Sequence, residues 1–368
     1  MKRLLCIVSG MNAGGAETFL MKLYRRLDRT KYQMDFCVNI WEQGFYDDEI
    51  RRLGGKIYHI PCKSENPGEF RRRLAEIVRE QHYQYVLKIT SSGAGFMDLM
   101  IAKKAGARMC AARSSNSSDG GSRVSVVLHR LGRLLYGKFI DVKLAPSDLA
   151  AIHTFGEAAY RNGQVEILHN ALDLNVYHFS EAARQELRRE LDIPREAVVV
   201  GHIGRFMKQK NHSFLLDVFA ALHQKKPDSV LLLVGTGELE TPIREKIAAL
   251  GLEDCVRMTG VRSDIPALLS AMDVFVFPSL YEGMPNTVIE AQATGLPCLI
   301  ADTITREADI TGLVHYLPLC DISEWASYIA ALPQGTRTTP IQDFKTNGYD
   351  IETAADQFVK LIFGEDRE

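Results

Sequence analysis

The sequence predicts an α/β protein of two open domains, each built on a doubly wound parallel sheet. Three observations carry this. The 368 residues are two domains' worth of chain at roughly 100–200 residues per domain. Short β-branched or leucine-rich runs alternate with amphipathic helical stretches along nearly the whole length. Within the short runs the apolar residues are consecutive rather than alternating, as in strands covered on both faces. A composition of 46% hydrophobic and 24% charged residues excludes a disordered or fibrous chain.

Taken in order, strands are expected at 3–9 (RLLCIVS), 34–40 (MDFCVNI), 84–89 (QYVLKI), 108–112, 140–145 and 165–168 (VEIL). The series continues at 197–203 (AVVVGHI), 229–234 (SVLLLV), 255–259, 273–277 (DVFVF) and 297–300. Helical periodicity falls between them, near 15–28, 69–82, 95–105, 124–138, 181–191, 211–224, 240–250, 286–294 and 351–364. The rhythm falters after VEIL, at Asn170-Ala171-Leu172-Asp173, and a polar helix follows before Pro194. This divides the chain into an N-terminal domain, 1–168, and a C-terminal domain, 169–350. The tail 351–368 is apolar at Ile351, Ala354, Ala355, Phe358 and Ile362, so it is expected to dock back on the first domain.

The net charge of −2 hides an asymmetry. Residues 1–145 carry 25 Lys+Arg against 14 Asp+Glu, a net of +11, and the remainder carries −13. Either the first half meets something anionic, such as a membrane surface, or the two halves attract each other. Seven cysteines stand without a CxxC pair, and Cys6, Cys37 and Cys298 lie in apolar runs, which fits buried thiols in a reducing compartment. The apolar stretch Leu4–Val8 is too short for a secretion signal, and no run reaches the ~18 residues of a membrane span. A cytoplasmic location is expected.

Three loops carry candidate chemistry. The first strand runs into Ser9-Gly10 and then Gly14-Gly15-Ala16-Glu17 before a helix. A glycine-rich strand-to-helix turn lets backbone N–H groups approach a phosphate, although the spacing is not G-x-G-x-x-G and, taken alone, a plain tight turn is the stronger reading. In the second half, Gly204-Arg205 and Lys208-Gln209-Lys210-Asn211-His212 occupy the same position. Arg205 and Lys210 there suit a diphosphate, a fork and a point charge together neutralising two phosphates. The third stretch is Glu282-Gly283-Met284-Pro285-Asn286-Thr287-Val288-Ile289-Glu290. Gly283 permits close backbone approach, Pro285 or Asn286 starts a helix, and N–H groups at Met284–Thr287 are left free for phosphate. Glu290, one turn in, can accept two sugar hydroxyls, or both glutamates can simply favour the helix dipole.

Together, Glu282-x7-Glu290, the Gly204–His212 loop, Gly14–Glu17 and Asn170–Asp173 resemble retaining glycosyltransferase family 4 over nearly the full chain. The run EGMPNTVIEAQATGLPCLIADTITREADIT looks closest to its bacterial exopolysaccharide and capsule branch. The resemblance implies the GT-B fold, a nucleotide-diphosphate sugar donor, no cofactor and no catalytic metal. It implies that Arg205 and Lys210 hold the donor diphosphate and that Glu282 binds the transferred sugar. Gly204 and the Gly283–Thr287 backbone would support the phosphates, Glu290 the ribose, and Gly15 the reacting centre. Val261 and Arg262 would lie beside the base. The acceptor implied is a glycan, polyprenyl-diphosphate-linked, and no nucleic-acid partner is expected. Another GT-B sugar enzyme, such as a sugar-nucleotide epimerase, and a non-catalytic nucleotide-sugar binder are the rival readings.

Four features depart from that pattern or stand outside it. Where the family often has Ala-His-Ser-His-Asn, this chain reads Ala111-Ala112-Arg113-Ser114-Ser115-Asn116, so either Arg113 or Asn116 orients an acceptor, or the donor, in place of histidine, or the stretch is a plain polar loop. His169, His202 and His212 form no metal-ligand spacing and are expected to pack or hydrogen-bond. Asp47-Asp48-Glu49 reads as a solvated helix start. The basic amphipathic segment 123–139 either packs its apolar stripe on the sheet or lies against an anionic membrane.

Overall fold

The computed structural model describes residues 1–12, 14–115, 123–333 and 337–364; Asn116, one of the two expected acceptor contacts, lies outside them. The contacts divide the chain into two units. Unit 1 comprises Met1–Asp173 with Gly348–Glu368, and unit 2 comprises Leu174–Asn347.

Unit 1 holds strands β1 (Lys2–Ile7), β2 (Tyr32–Val38), β3 (Ile57–His59), β4 (Tyr85–Ile89), β5 (Met109–Arg113), β6 (Val142–Ala145) and β7 (Glu166–Ile167). They form one parallel sheet in the order β3-β2-β1-β4-β5-β6-β7. Consecutive apolar residues in β1 serve two cores. Leu4 and Cys6 pack with Phe19 and Phe358 on one face, while Leu5 and Ile7 pack with Leu74 and Leu99 on the other. That is why the sequence shows a run and not an alternation.

Unit 2 repeats the plan with β8 (Val198–Ile203), β9 (Ser229–Val234), β10 (Val256–Met258), β11 (Val274–Phe277), β12 (Cys298–Ala301) and β13 (Val314–Leu317). Their order is β10-β9-β8-β11-β12-β13, again parallel. Residues of β9 alternate between cores: Val230, Leu232 and Val234 on one face, Leu231 and Leu233 on the other. The sequence reading lacked β3 and β13. Both are edge strands of three or four residues with mostly half-exposed side chains, so they offer little apolar signal.

The tail helix Ile351–Phe363 starts at Asp350, whose side chain accepts from Thr353 N–H at 3.2 Å. Its apolar stripe joins the unit 1 core beside the helix Gly15–Arg26, and Arg26 Nε pairs with Glu352 Oε1 at 2.8 Å. The segment 169–173 also belongs to unit 1, because Leu172 bridges to Asp350 and Asp173 pairs with Arg26. The division thus falls a few residues beyond 168 and before 350.

One local expectation needs correction, and one of two open readings is ruled out. Asp47 does start a helix, Asp47–Arg52, but it is buried and its carboxylate accepts from Gly44 N–H at 3.1 Å. It fixes a turn instead of facing water. The helix Arg123–Tyr136 does not lay its apolar stripe on the sheet. His129 and Gly132 face inward, and Val124, Val127, Leu128, Leu131, Leu134 and Leu135 face outward.

Candidate active site

A doubly wound sheet opens at its switch point, where loops leave neighbouring strands toward opposite faces. In unit 2 that point lies between β8 and β11, since β8 is flanked by β9 on one side and β11 on the other. Two of the three motif loops meet there. The turn after β8 contributes Gly204, Arg205 and Lys208–Lys210; the turn after β11 contributes Ser279–Pro285. Leu280 N–H donates to Gln209 O at 2.8 Å, and Gln209 Nε2 donates to Tyr281 O at 2.7 Å. The loops are therefore tied to each other by backbone.

Lys210 Nζ lies 2.7 Å from Glu282 Oε1, with the two side chains 16% and 11% exposed. The ammonium also sits 4.6 Å from the Phe277 ring centroid. Arg205 is exposed and makes no ion pair among the described residues. One cation is thus fixed by a carboxylate and an aromatic face, and the other is open to a ligand. Beyond Glu282, Pro285 is the N-cap of the helix Asn286–Ala293, and no side chain caps that end. Gly283–Thr287 therefore lead into a helix start whose dipole favours an anion.

The floor under these loops is tightly built. A Cβ on Gly235 would stand 2.2 Å from Gly204 O, and one on Gly237 would stand 2.4 Å from Phe206 O. The Gly235-Thr236-Gly237 turn after β9 is a third supporting loop, outside the three motif stretches; the close approach it requires is what two glycines supply. His202 and His212 lie beneath, ring centroids 4.8 Å apart, with His212 also edge-on to Phe206. His202 Nδ1–H donates to Val276 O at 2.9 Å, while its Nε2 and both nitrogens of His212 lack partners among the described residues. Burial pushes His202 well below the usual histidine range and His212 down to about 4, with Lys210 adding to both shifts. Both rings are neutral packing groups at physiological pH.

The remaining expected donor residues divide. Glu290 Oε1 accepts from Tyr177 OH at 3.2 Å, a partner with no recognisable motif around it in the sequence. Val261 is 78% exposed. Arg262 is clamped by Asp264, with Nε–Oδ1 at 2.8 Å and Nη2–Oδ2 at 2.6 Å, and its Nη1 pairs with Glu190 at 2.7 Å. With three of its N–H groups engaged by Asp264 and Glu190, Arg262 braces the loop after β10.

Unit 1 has its own switch point between β1 and β4, and a cavity of about 500 Å³ opens there. Gly15, Glu17, Lys63, Lys88, Thr90 and Ser115 are among its lining residues. Gly15 is exposed at the first turn of the helix Gly15–Arg26, where N–H groups are unsatisfied. Burial holds the Glu17 carboxyl above the usual carboxylate range. Lys63 and Lys88 both pair with Asp98, which is fully buried; Lys88 Nζ lies 3.0 Å from Oδ2. Burial pushes Lys63 down. These three residues are scattered over 36 positions, so no sequence pattern marks them.

Arg113 departs from its expected part in acceptor binding. It is 1% exposed, stacks 4.0 Å from the Phe19 centroid, and donates to Leu168 O at 3.1 Å and Asn170 Oδ1 at 2.7 Å. Burial lowers it to about 9. It is a strut between β5 and the 168–170 segment, out of reach of any ligand.

Among the described residues no three His, Cys, Asp or Glu side chains gather as a metal cluster, and no helix is long and apolar enough to cross a membrane. Residues 197–334 match the model of the family described as Glycosyl transferases group 1. EpsF of Bacillus subtilis strain 168, named as a glycosyltransferase, is 36% identical over 338 residues, covering 89% of this chain and 87% of EpsF. The UDP-Gal:alpha-D-GlcNAc-diphosphoundecaprenol alpha-1,3-galactosyltransferase of Escherichia coli is 35% identical over 144 residues, 38% of this chain and 37% of that protein. Among solved structures, Anabaena HepE in complex with UDP and glucose superposes with a TM-score of 0.72 at 20% identity, over 97% of this chain and 95% of that one. At that identity the likeness speaks for the fold, which is GT-B.

Proposed function

The chain belongs to the group 1 glycosyltransferases and is a transferase enzyme with the GT-B fold; from that premise, we propose that it moves a sugar, with retention of anomeric configuration, from a nucleotide-diphosphate donor to a glycan acceptor in exopolysaccharide or capsule synthesis. The observation that carries this reading is the Lys210–Glu282 pair at the β8/β11 switch point, with Arg205 on the same loop exposed and making no ion pair among the described residues.

The chemistry follows from charge. Breaking the bond between the anomeric carbon and the phosphate oxygen leaves its electron pair on that oxygen. Arg205 and Lys210 neutralise the negative charge that develops there, and the uncapped start of the helix Asn286–Ala293 adds a positive dipole end. Glu282, held beside Lys210, accepts hydroxyls of the transferred sugar. The acceptor hydroxyl attacks from the face the phosphate leaves, and its proton passes to the departing phosphate oxygen. Glu290 and Tyr177 together receive the donor ribose.

A polyprenyl-diphosphate-linked acceptor at the cytoplasmic membrane face is supported by two things. The Escherichia coli relative acts on a diphosphoundecaprenol substrate by its name, and the unit 1 cavity presents Lys63 and Lys88 to an incoming phosphate. Mass spectrometry of UDP- and GDP-sugars incubated with the protein tests the reading. Release of the nucleoside diphosphate with sugar hydrolysed or transferred is expected. Binding without turnover of any donor would leave a nucleotide-sugar binding protein.

A further inference from the structure

We propose that the helix Arg123–Tyr136 is an interfacial membrane helix, held on unit 1 by its small and polar residues and turned with its aliphatic face outward onto an anionic bilayer. The packing is the reverse of an ordinary surface helix. Val124, Val127, Leu128, Leu131, Leu134 and Leu135 are 49–80% exposed. At 100° per residue these six fall within an arc of about 120°. The opposite face is the one that packs: His129 is buried, Gly132 lies against Gly93, and Gly93 N–H donates to His129 Nδ1 at 3.2 Å. A contiguous aliphatic strip of this kind marks a surface that something covers.

Charge identifies the cover. From Gly120 to Ile140 the sequence has Arg123, Arg130, Arg133 and Lys138 and no carboxylate. Arg130 and Lys138 are exposed, and Arg130 borders the aliphatic arc. A second copy docked through this helix by a two-fold would set the same cations against themselves. A protein partner's interface core would favour aromatic anchors, whereas this strip is wholly Leu and Val. Aliphatic side chains edged by Lys and Arg fit the headgroup boundary of anionic lipid. With 14 residues the helix spans about 21 Å, too short for a bilayer core of ~30 Å, so it lies in the plane.

The location serves the lipid-linked acceptor of the functional reading, on which this purpose rests. The turn Gly93–Gly95 that carries the helix also lines the cavity, with Gly95 beside Lys63 and Lys88. A lipid phosphate at the bilayer surface thus meets the two lysines without leaving the interface.

Co-sedimentation of the full chain with phosphatidylglycerol/phosphatidylcholine vesicles, and with phosphatidylcholine alone, tests the proposal at low and high salt. Wild type should bind the anionic vesicles in a salt-dependent way. Arg130→Gln with Lys138→Gln should lower partitioning by on the order of 25-fold, about fivefold per charge. Leu128→Asp with Leu134→Asp should abolish it, with unchanged circular dichroism and donor hydrolysis. Absence of binding at any salt, or equal binding by the leucine variant, overturns the proposal. So does conversion of a dimer to a monomer by the leucine variant without effect on vesicles, which would assign the strip to a second copy. Vesicle binding without transfer to a polyprenyl-diphosphate-linked glycan keeps the docking helix and removes the acceptor reading; transfer without vesicle binding does the opposite.

Discussion

Gly132 and Gly93 touch backbone to backbone: a Cβ on Gly132 would stand 2.4 Å from the Gly93 carbonyl carbon and 2.6 Å from Ala94 N. In an ordinary helix interior, Gly→Ala is stabilising by about 1 kcal/mol. Here the neighbours are backbone atoms that cannot swing aside, and overpacking costs ~1–3 kcal/mol or more. Gly132→Ala is therefore expected to destabilise, a reversal of the usual sign. Urea unfolding of wild type and variant checks it, and a variant as stable as wild type would contradict the contact.

Arg205→Ala should cut turnover by ~10²–10³, or ~3–4 kcal/mol, without loss of stability. The side chain is exposed and unpaired among the described residues, so nothing in the fold depends on it. Lys210→Ala should match that loss in rate and also cost stability, because it leaves the largely buried Glu282 without its cation. Steady-state kinetics with thermal melts separates the two effects. Turnover within a few-fold of wild type in both variants would dismiss the diphosphate assignment.

Turnover should persist in excess EDTA. Arg205, Lys210 and the helix start at Asn286 supply the positive charge a departing diphosphate needs. Complete loss of activity with EDTA, restored by Mg²⁺ or Mn²⁺, would mean that a metal carries that charge.

Stability should fall in mild acid through the buried histidines. His212 stays neutral in the folded protein until about pH 4, whereas an unfolded histidine takes its proton near 6.5. Below about pH 6.5 the unfolded chain binds more protons, so the contribution present at neutral pH drains away as pH falls toward 4. The loss amounts to on the order of 3 kcal/mol, and His202 adds to it in the same direction. In His212→Phe, which keeps a ring against Phe206, urea midpoints should depend less steeply on pH between 6.5 and 4. Equal slopes would place the acid sensitivity elsewhere.

The strands that carry these loops were legible because they are covered on both faces. Runs such as 198–203 and 229–234 are buried at every position and mostly apolar, and β3 and β13 were lost for the opposite reason. The loop residues Arg205, Lys210 and Glu282 were legible because local spacing and a following helix single them out. Lys63, Lys88 and Asp98 were not, since they meet only through the order of the sheet. Arg113 shows the limit of reading charge as function: an arginine at a strand end looks exposed in sequence, yet here Phe19 and two oxygens cover it. Helix 123–136 shows the limit of amphipathicity. The pattern states that two faces differ, not which one the protein keeps.

The backbone leaves unit 1 after Asp173 and returns at Gly348, and the flanking segments are bonded side by side: Leu172 N–H donates to Tyr349 O at 2.8 Å, and Ile351 N–H to Leu172 O at 2.9 Å. In genetic terms unit 2 is one uninterrupted stretch of the reading frame, set between two ends of unit 1 that are bonded to each other. A chain that joins Asp173 to Gly348 by a short turn would keep every strand of unit 1 and the tail helix. The portion bearing Arg205, Lys210 and Glu282 is therefore encoded as one block, and the portion bearing the Lys63–Lys88 cavity and the outward-facing leucines lies wholly in the block before it.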